Sequence, residues 1–324
     1  MRMILWLCVA LSVFACATGE LPAQPLEDVN YLMPAPPTLP SFIPWILAQQ
    51  RHYYEQEGLK VTFQTVKGGV DVAVQVGVGN APVGGGIGET TIITRPQGIP
   101  SKVVAVLGGG AFTQLVVHPD EGITGPKDLK GKTVTVLAYE DTSYYSLLGM
   151  LASVGLTKND LDIQAAGPAG IWQVFAAGKA QAMASTVNWA LDARNAGAKI
   201  KIYRSDLFFP SMAQSIIASD AMIRQRPELV RKLVRATLRG LNDVMKEGGA
   251  VVPDYVAAVP AMKGKEDFVR EVIDLYNEYT YSGQKVLGAM DPQRLKTVQD
   301  FYVAQKIVPK ESPLDDLYTN QFVQ

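Results

Sequence analysis

The order of strand-like and helix-like patterns along the chain limits its fold more than any other feature. Between residues 29 and 218, short apolar runs typical of buried strands, such as Leu59–Thr65, alternate with runs of helical spacing. Alternation of this kind predicts an α/β fold with parallel-type sheets flanked by helices on both faces. From Asp220 onward the pattern is helical only, with Leu229, Leu233 and other apolar residues at helical spacing. We therefore expect a helical C-terminal tail.

The first residues resemble a secretion signal. A positively charged start precedes an apolar run over 4–15, which is too short to span a bilayer, and small residues follow at Ala15 and Ala17. We expect a signal peptide over 1–23 and a periplasmic protein. Because Cys16 faintly matches a lipoprotein box, lipid anchoring through Cys16 is the alternative to plain secretion. Both cysteines, Cys8 and Cys16, lie in this segment, so no disulfide is expected in the mature chain.

Charge and motif content exclude several classes of function. The net charge of −1 argues against a nucleic-acid partner, which would require a basic surface. The two histidines, His52 and His118, have no neighbours at metal-ligand spacing, and no hydrolase or metalloprotease motif occurs. The sequence thus predicts no metal, no cofactor and no enzymatic activity.

Several motifs resemble one family of binding proteins. The segment 122–134, GITGPKDLKGKTV, is similar to a signature of the ABC-importer periplasmic substrate-binding proteins for nitrate, sulfonates, taurine and thiamine-pyrimidine precursors. The pieces GLKV at 58–61 and PELV at 227–230 match two further landmarks of that family. Within the signature, Pro126 fits the first turn of a short helix and Gly131 its left-handed end, so its role is structural.

The resemblance implies a two-lobed periplasmic-binding-protein fold of type II, a "Venus flytrap". Lobe 1 would comprise 28–117 and 214–324, and lobe 2 would comprise 118–213. Two crossings between the lobes would allow a hinge closure that buries a small-molecule ligand. The implied partners are an ABC permease and its ATPase, and the protein is expected to be a monomer.

The candidate site lies in the turns that face the predicted cleft, because ligands of open α/β sheets bind beyond the carboxyl ends of the strands. The charged residues in these turns are all acidic (Glu89, Glu140 and Asp141), and aromatic residues are frequent. Glycines over 84–88 are expected to let the backbone approach the ligand, whereas Trp45 is expected to fill core. The candidate ligand-binding residues are Pro37, Thr38, Gly88, Glu89, Thr90, Phe112, Thr113, Tyr139, Thr142, Ser143, Tyr144, Asn188, Trp189 and Met212.

Two kinds of ligand fit this set. A heteroaromatic, aminopyrimidine-like molecule would stack on the rings and donate hydrogen bonds to Glu89 as its anchor. An organic anion such as a sulfonate or nitrate would instead use backbone N–H groups near Thr90, Thr142 and Ser143. A third interpretation gives Glu89 and Asp141 only a capping role at helix starts.

An enzyme of the same fold, a pyrimidine-precursor synthase or a small-acid lyase, is the alternative class. The synthases that the resemblance includes carry a cysteine-rich motif and a reactive histidine. This chain has no cysteine beyond residue 16, which disfavours that class.

Overall fold

The structure, a computed structural model, describes residues 25–139 and 141–323. The predicted signal peptide (1–23), with Cys16, and Glu140 lie outside the described residues. The ten strands within that part of the chain are β1 (Glu27–Met33), β2 (Leu59–Thr65), β3 (Val83–Ile87), β4 (Ser101–Val106), β5 (Gln114–Val117), β6 (Thr133–Val136), β7 (Asp162–Ala165), β8 (Ala182–Ser185), β9 (Lys201–Tyr203) and β10 (Gln214–Ser219).

Helices separate these strands and make up the tail. They are α1 (Ile43–Gln50), α2 (Tyr53–Gln56), α3 (Gly68–Gly77), α4 (Thr90–Thr94), α5 (Thr142–Ala152), α6 (Gly167–Ala176), α7 (Val187–Asn195), α8 (Asp220–Gln225), α9 (Pro227–Glu247), α10 (Val252–Ala258), α11 (Glu266–Tyr276), α12 (Pro292–Ala304) and α13 (Leu314–Leu317). A π-helical turn, Asn277–Tyr281, follows α11. No described helix is both long and apolar enough to cross a bilayer.

The strands form two five-stranded sheets. The first has the order β2-β1-β3-β10-β4 and the second has the order β7-β6-β8-β5-β9. In each sheet four of the five strands run in the same direction, as expected for mainly parallel sheets: β2, β1, β3 and β4 in one and β7, β6, β8 and β9 in the other. The exceptions are β10 and β5, each of which runs antiparallel to both its neighbours, so the sheets are mixed.

The antiparallel strands follow from the path of the chain between the sheets. Within the described residues the chain leaves the first sheet after β4 and returns to it at β10. We call the two connecting segments crossover 1 (107–113) and crossover 2 (204–213). Strands β5 and β10 are the ones that the chain enters from the other sheet, and they run against the parallel strands beside them. The architecture is therefore two-lobed, while the exact lobe bounds given above stay a prediction.

The tail packs mainly on the first sheet. Its longest helix, α9, buries a stripe of apolar side chains that includes Leu229, Leu233 and Leu241, and each such leucine contributes about 1.5–3 kcal/mol to stability. Helix α9 also packs against α1. A Cβ at Gly240 would lie 2.1 Å from the Pro44 carbonyl oxygen, so only glycine allows this approach of the two backbones.

The apolar residues Phe42, Trp45, Ile46 and Leu47 are spaced as in a single helix that would run to about Gln56, but the structure breaks this segment into two helices. Helix α1 ends at Gln50, and His52 adopts a left-handed conformation (φ 57°) before α2 starts. The break turns the chain so that Arg51 reaches α9, where it forms ion pairs with Asp243 and Glu247.

Candidate functional site

A narrow cavity lies between the two sheets, where both crossovers pass. Its volume is about 30 Å³, room for about one water molecule. Both lobes contribute to its walls. The lining residues are Pro34, Ala35, Leu39, Ser41, Phe42, Trp45, Gly85, Gly86, Ile87, Phe112, Thr113, Leu137, Asp141, Thr142, Ser143, Thr186, Trp189 and Gln214.

Aromatic rings form much of the wall. Trp45 lies in the first turn of α1, edge-on to Phe42 with ring centroids 5.9 Å apart. Phe112, at the end of crossover 1, is stacked on Tyr276 of α11 at 5.9 Å. Trp189 adds a fourth ring from the start of α7. Because neighbouring rings fix their orientation, these side chains present fixed apolar faces to the cavity.

Asp141 is the one titratable side chain among the described residues that line the cavity. Its Oδ1 accepts a hydrogen bond of 2.8 Å from the Ser143 backbone N–H, and Asp141 thereby caps α5. Burial raises the pKa of the Asp141 carboxyl, and the donors around it only partly oppose this. The capping interpretation of Asp141 is thus confirmed, and the same carboxyl lies on the cavity wall.

Three polar side-chain atoms of the wall are buried without a hydrogen-bond partner. They are Nε1 of Trp45, Oγ1 of Thr113 at the entrance to β5, and Oγ of Ser143. The Ser143 side chain lies near the Asp141 carboxylate. An unpaired buried hydroxyl costs about 1–3 kcal/mol, which a hydrogen bond to a ligand would offset. These atoms are where a ligand could form hydrogen bonds.

Five of the fourteen predicted site residues line the cavity, and their role in binding stays a prediction. They are Phe112, Thr113, Thr142, Ser143 and Trp189. Of the others, Thr38 is exposed and Pro37 is half-buried, between the lining residues Ala35 and Leu39. Asn188 is fully buried, and its Oδ1 accepts hydrogen bonds from Thr186 and Tyr276. Tyr139 and Tyr144 pack edge-on against each other (5.4 Å) outside the cavity.

Glu89 does not fit its predicted role as the ligand anchor. The side chain is fully buried outside the cavity wall. Its Oε1 accepts hydrogen bonds from Ser211 Oγ (2.6 Å) and Ser146 Oγ (3.3 Å), and its Oε2 accepts one from Met212 N (3.0 Å). The carboxylate is thus occupied by crossover 2 and α5. Burial raises its pKa to about 7.

The other predicted residues near Glu89 contact β3 or crossover 2. Thr90 uses its hydroxyl to accept a 3.0 Å hydrogen bond from Ile87 N of β3. Gly88 donates to the Ala213 carbonyl, and a Cβ there would lie 2.6 Å from the Met212 sulfur. Met212 therefore packs on Gly88, and all three residues lie outside the cavity lining.

The glycine run over 84–88 serves packing more than ligand approach. A Cβ at Gly84 would lie 2.3 Å from Val72, and one at Gly86 would lie 2.7 Å from both Ile217 and Thr90. Gly85 has ordinary contact distances and lines the cavity. The run forms strand β3, which these close contacts hold against α3 and β10.

Sequence reasoning missed Trp45, Phe42 and Gln214. Trp45 was expected only in the core, although a helix that starts at the carboxyl end of β1 directs its first turn at the cleft. Gln214 carries a polar amide at the first position of the fully buried strand β10, which was the available signal. Its Nε2 donates a 2.8 Å hydrogen bond to the Ser41 carbonyl and so joins two parts of the wall.

The chain belongs to the NMT1/THI5-like family, whose model matches residues 39–250. The riboflavin-binding protein RibY of Chloroflexus aurantiacus is 28% identical over 313 residues, which cover 93% of this chain and 88% of RibY. A 4-amino-5-hydroxymethyl-2-methylpyrimidine phosphate synthase of Aspergillus parasiticus is 27% identical over 247 residues, 69% of this chain and 68% of the synthase. The matched relatives therefore include both a binding protein and an enzyme.

The fold is that of the periplasmic binding proteins of ABC importers. The alkanesulfonate-binding protein SsuA of Xanthomonas axonopodis pv. citri, solved with MOPS, superimposes with a TM-score of 0.72. The match covers 92% of this chain and all of SsuA, at 18% sequence identity. At that identity the comparison shows the fold, and the two-lobed α/β class predicted from the sequence is confirmed.

Proposed function

We propose that this protein is the extracytoplasmic solute-binding component of an ABC importer and that it binds a planar heteroaromatic molecule of the flavin or aminopyrimidine class. The observation that supports this proposal most strongly is that one cavity between the lobes combines aromatic rings with a buried hydroxyl, at Thr113, that has no hydrogen-bond partner. Cavities of this composition, mostly apolar with a few converging polar atoms, are typical of small-molecule sites.

The shape of the cavity supports a flat ligand. Aromatic rings at Phe42, Trp45, Phe112 and Trp189 offer faces for stacking. A ring needs about 3.5–4 Å of space on each of its faces. A small opening of the lobes provides that space in a cavity that is now narrow, whereas a bulky saturated ligand would require a much wider opening.

The polar atoms support a ring with hydrogen-bonding edges. Thr113 Oγ1 and Ser143 Oγ can each donate or accept, and the Asp141 carboxyl can accept from a ring N–H or an amino group. Flavins and aminopyrimidines carry both donors and acceptors on their ring edges. RibY, a relative over most of both chains, is named a riboflavin-binding protein, which adds support for a flavin.

The wall is less suited to an organic anion. Of the helices α1, α5 and α7, which begin at the cavity wall, α5 already donates its Ser143 N–H to the Asp141 carboxylate, and that carboxylate would repel an anion beside it. No lysine or arginine occurs among the described lining residues. Sulfonate or nitrate is therefore the second choice of ligand.

The residues of the cavity wall support binding of the ligand without its chemical conversion. The described lining residues contain no cysteine, histidine or lysine to act as a nucleophile or general base. His118 lies elsewhere, stacked on Phe175 at 3.9 Å with its ring nitrogens near two backbone carbonyls. The enzyme alternative, supported by the matched pyrimidine phosphate synthases, is decided by testing for product formation.

A titration of the protein into riboflavin, followed by quenching of flavin fluorescence, tests the proposal. We expect saturable binding, and about 2.7 kcal/mol of added stability at 100 times the dissociation constant. Thr113→Val should weaken binding about tenfold, because the ligand loses one buried hydrogen bond. Without ligand, Thr113→Val should be as stable as the wild type or slightly more stable, since the lost hydroxyl has no hydrogen-bond partner.

The matched control is Ser101→Ala, which removes another fully buried hydroxyl without a partner, on β4 outside the cavity wall. Its affinity should equal that of the wild type. Parallel titrations with an aminopyrimidine, an alkanesulfonate and nitrate identify the ligand class, and mass spectrometry after prolonged incubation detects any product. The proposal would be refuted if the protein bound an alkanesulfonate or nitrate saturably and bound neither riboflavin nor the aminopyrimidine.

A further inference from the structure

Arg294 contacts both crossovers at once. It lies in the first turn of α12, and its guanidinium is outside the ligand cavity. Nη1 donates a hydrogen bond to the carbonyl of Gly109 in crossover 1. Nε donates to the carbonyl of Pro210 (3.1 Å), and Nη2 to that of Ser211, both in crossover 2. One planar group thus joins the two segments that connect the lobes.

Ser211 is also held from its other side. Its hydroxyl donates to the buried Glu89 carboxylate (2.6 Å) and lies 2.8 Å from the hydroxyl of Ser146. Glu89 follows β3 of the first sheet, whereas Ser146 belongs to α5, beside the second sheet. Ser211 therefore connects a residue from each lobe with Arg294 from the tail.

The tail holds crossover 1 in a similar way. Gly109 N donates to the Ser282 carbonyl (3.0 Å), Gly110 N donates to the Thr280 carbonyl (2.9 Å), and Thr280 Oγ1 donates to the Ala111 carbonyl (2.9 Å). A Cβ at Gly110 would lie 1.9 Å from the Tyr279 carbonyl oxygen. The backbones therefore touch, and crossover 1 cannot move independently of the tail.

We propose that Arg294 is a positioning residue that sets the angle between the lobes by fixing the two crossovers to each other. Hinge closure requires the backbone dihedrals of such segments to change, so their carbonyls move relative to one another. A guanidinium has a rigid fork of donors, and it can satisfy carbonyls on both segments only in a limited range of lobe angles. In this structure that range is the one in which the lobes are together.

The expected consequence is a shift in the population of closed molecules. Binding requires the closed form, so the apparent dissociation constant is the intrinsic one divided by the closed fraction. Loss of Arg294 should lower that fraction while leaving every residue of the cavity wall in place. Affinity should therefore fall although no ligand contact has been removed.

The test compares Arg294→Gln with wild type by small-angle X-ray scattering without ligand and by the riboflavin titration. We expect a larger radius of gyration for the variant and about tenfold weaker binding, mostly through faster dissociation. Arg294→Lys keeps the charge near Glu89 but cannot fork between the segments, so it should behave like Arg294→Gln. If Lys behaves like wild type, or if Gln changes neither measurement, the proposal is wrong.

The control is Arg270→Gln, which removes an arginine hydrogen bond to a carbonyl (Gly249, 3.1 Å) away from the crossovers. It should change neither the scattering curve nor the affinity. If Arg294→Gln does not fold, Thr280→Val loosens crossover 1 more mildly and should shift both measurements in the same direction. The affinity measurement rests on the proposed function. Scattering tests whether Arg294 fixes the angle between the lobes even if riboflavin does not bind.

Discussion

The titration of Glu89 gives a prediction whose size follows from the structure. Burial raises the pKa of this carboxyl from 4.5 to about 7, while Ser211, Met212 and the nearby charge of Arg294 only partly oppose the effect. Tyr302 is also close enough for the charge of Glu89 to affect it. In the unfolded chain Glu89 should titrate near its ordinary value. The folded protein therefore binds the proton more tightly than the unfolded chain does.

Because the folded state holds the extra proton, the free energy of unfolding should fall as pH rises between about 4.5 and 7. Below that window both states are protonated and Glu89 contributes nothing to the pH dependence. Above it the full penalty for burying the charge is present. The rise of the Glu89 pKa from 4.5 to about 7 corresponds to an upper limit of about 3 kcal/mol for this penalty.

Glu89→Gln removes this titration while keeping the shape of the side chain. We expect the stability of the variant, relative to wild type, to rise by up to about 3 kcal/mol between pH 5 and pH 8. Urea unfolding followed by tryptophan fluorescence at several pH values and constant ionic strength measures the difference. Asp141 and Asp192, whose pKa values burial also raises, are present in both proteins, so their effects cancel.

The exposed Asp128 provides a control, because hydrogen bonds from Thr124 lower its pKa below the ordinary 3.8. The difference in the free energy of unfolding between Asp128→Asn and wild type should therefore stay constant between pH 5 and pH 8. For Glu89→Gln, a stability difference that stays flat or falls over this range would refute the reasoning. It would mean that Ser211, Met212 and Arg294 keep Glu89 charged despite its burial.

Two further predictions concern the contacts around the cleft. Gly110→Ala should lower the stability by about 1–3 kcal/mol in urea unfolding, because its Cβ would collide with the Tyr279 carbonyl, and an unchanged midpoint would contradict that contact. Arg194 of α7 forms two 2.6 Å hydrogen bonds to Glu271 of α11, across the lobes, with both side chains about two-fifths exposed. Arg194→Gln should raise the ligand dissociation rate less than about fivefold, an effect that disappears at 1 M salt; a salt-independent change would contradict this.

Much of the fold could be predicted because local patterns specify it. The strand over Leu59–Thr65 and the long α9 were placed correctly from periodicity, since a strand with alternating buried residues and an amphipathic helix leave clear apolar spacing. The antiparallel direction of β5 and β10 was not predicted, because direction depends on where the chain crosses between sheets. Apolar spacing carries no information about that path.

The site was predicted less well because cleft turns and crossover turns have the same local sequence character. Thr113 and Trp189, predicted from turns at strand ends, line the cavity, whereas Glu89, at a similar turn, binds crossover 2. Which turn meets the ligand depends on contacts between residues more than a hundred positions apart, such as Glu89 and Ser211. Gly109 and Arg294 escaped notice for the same reason.

A crystal structure of the protein with the tightest-binding heteroaromatic ligand tests the central claim most directly. We expect the ring to lie among Phe42, Trp45, Phe112 and Trp189, with one of its polar atoms within hydrogen-bond distance of Thr113 Oγ1. A ligand bound elsewhere, or one in the cavity that leaves Thr113 unpaired and the rings unstacked, would contradict the account.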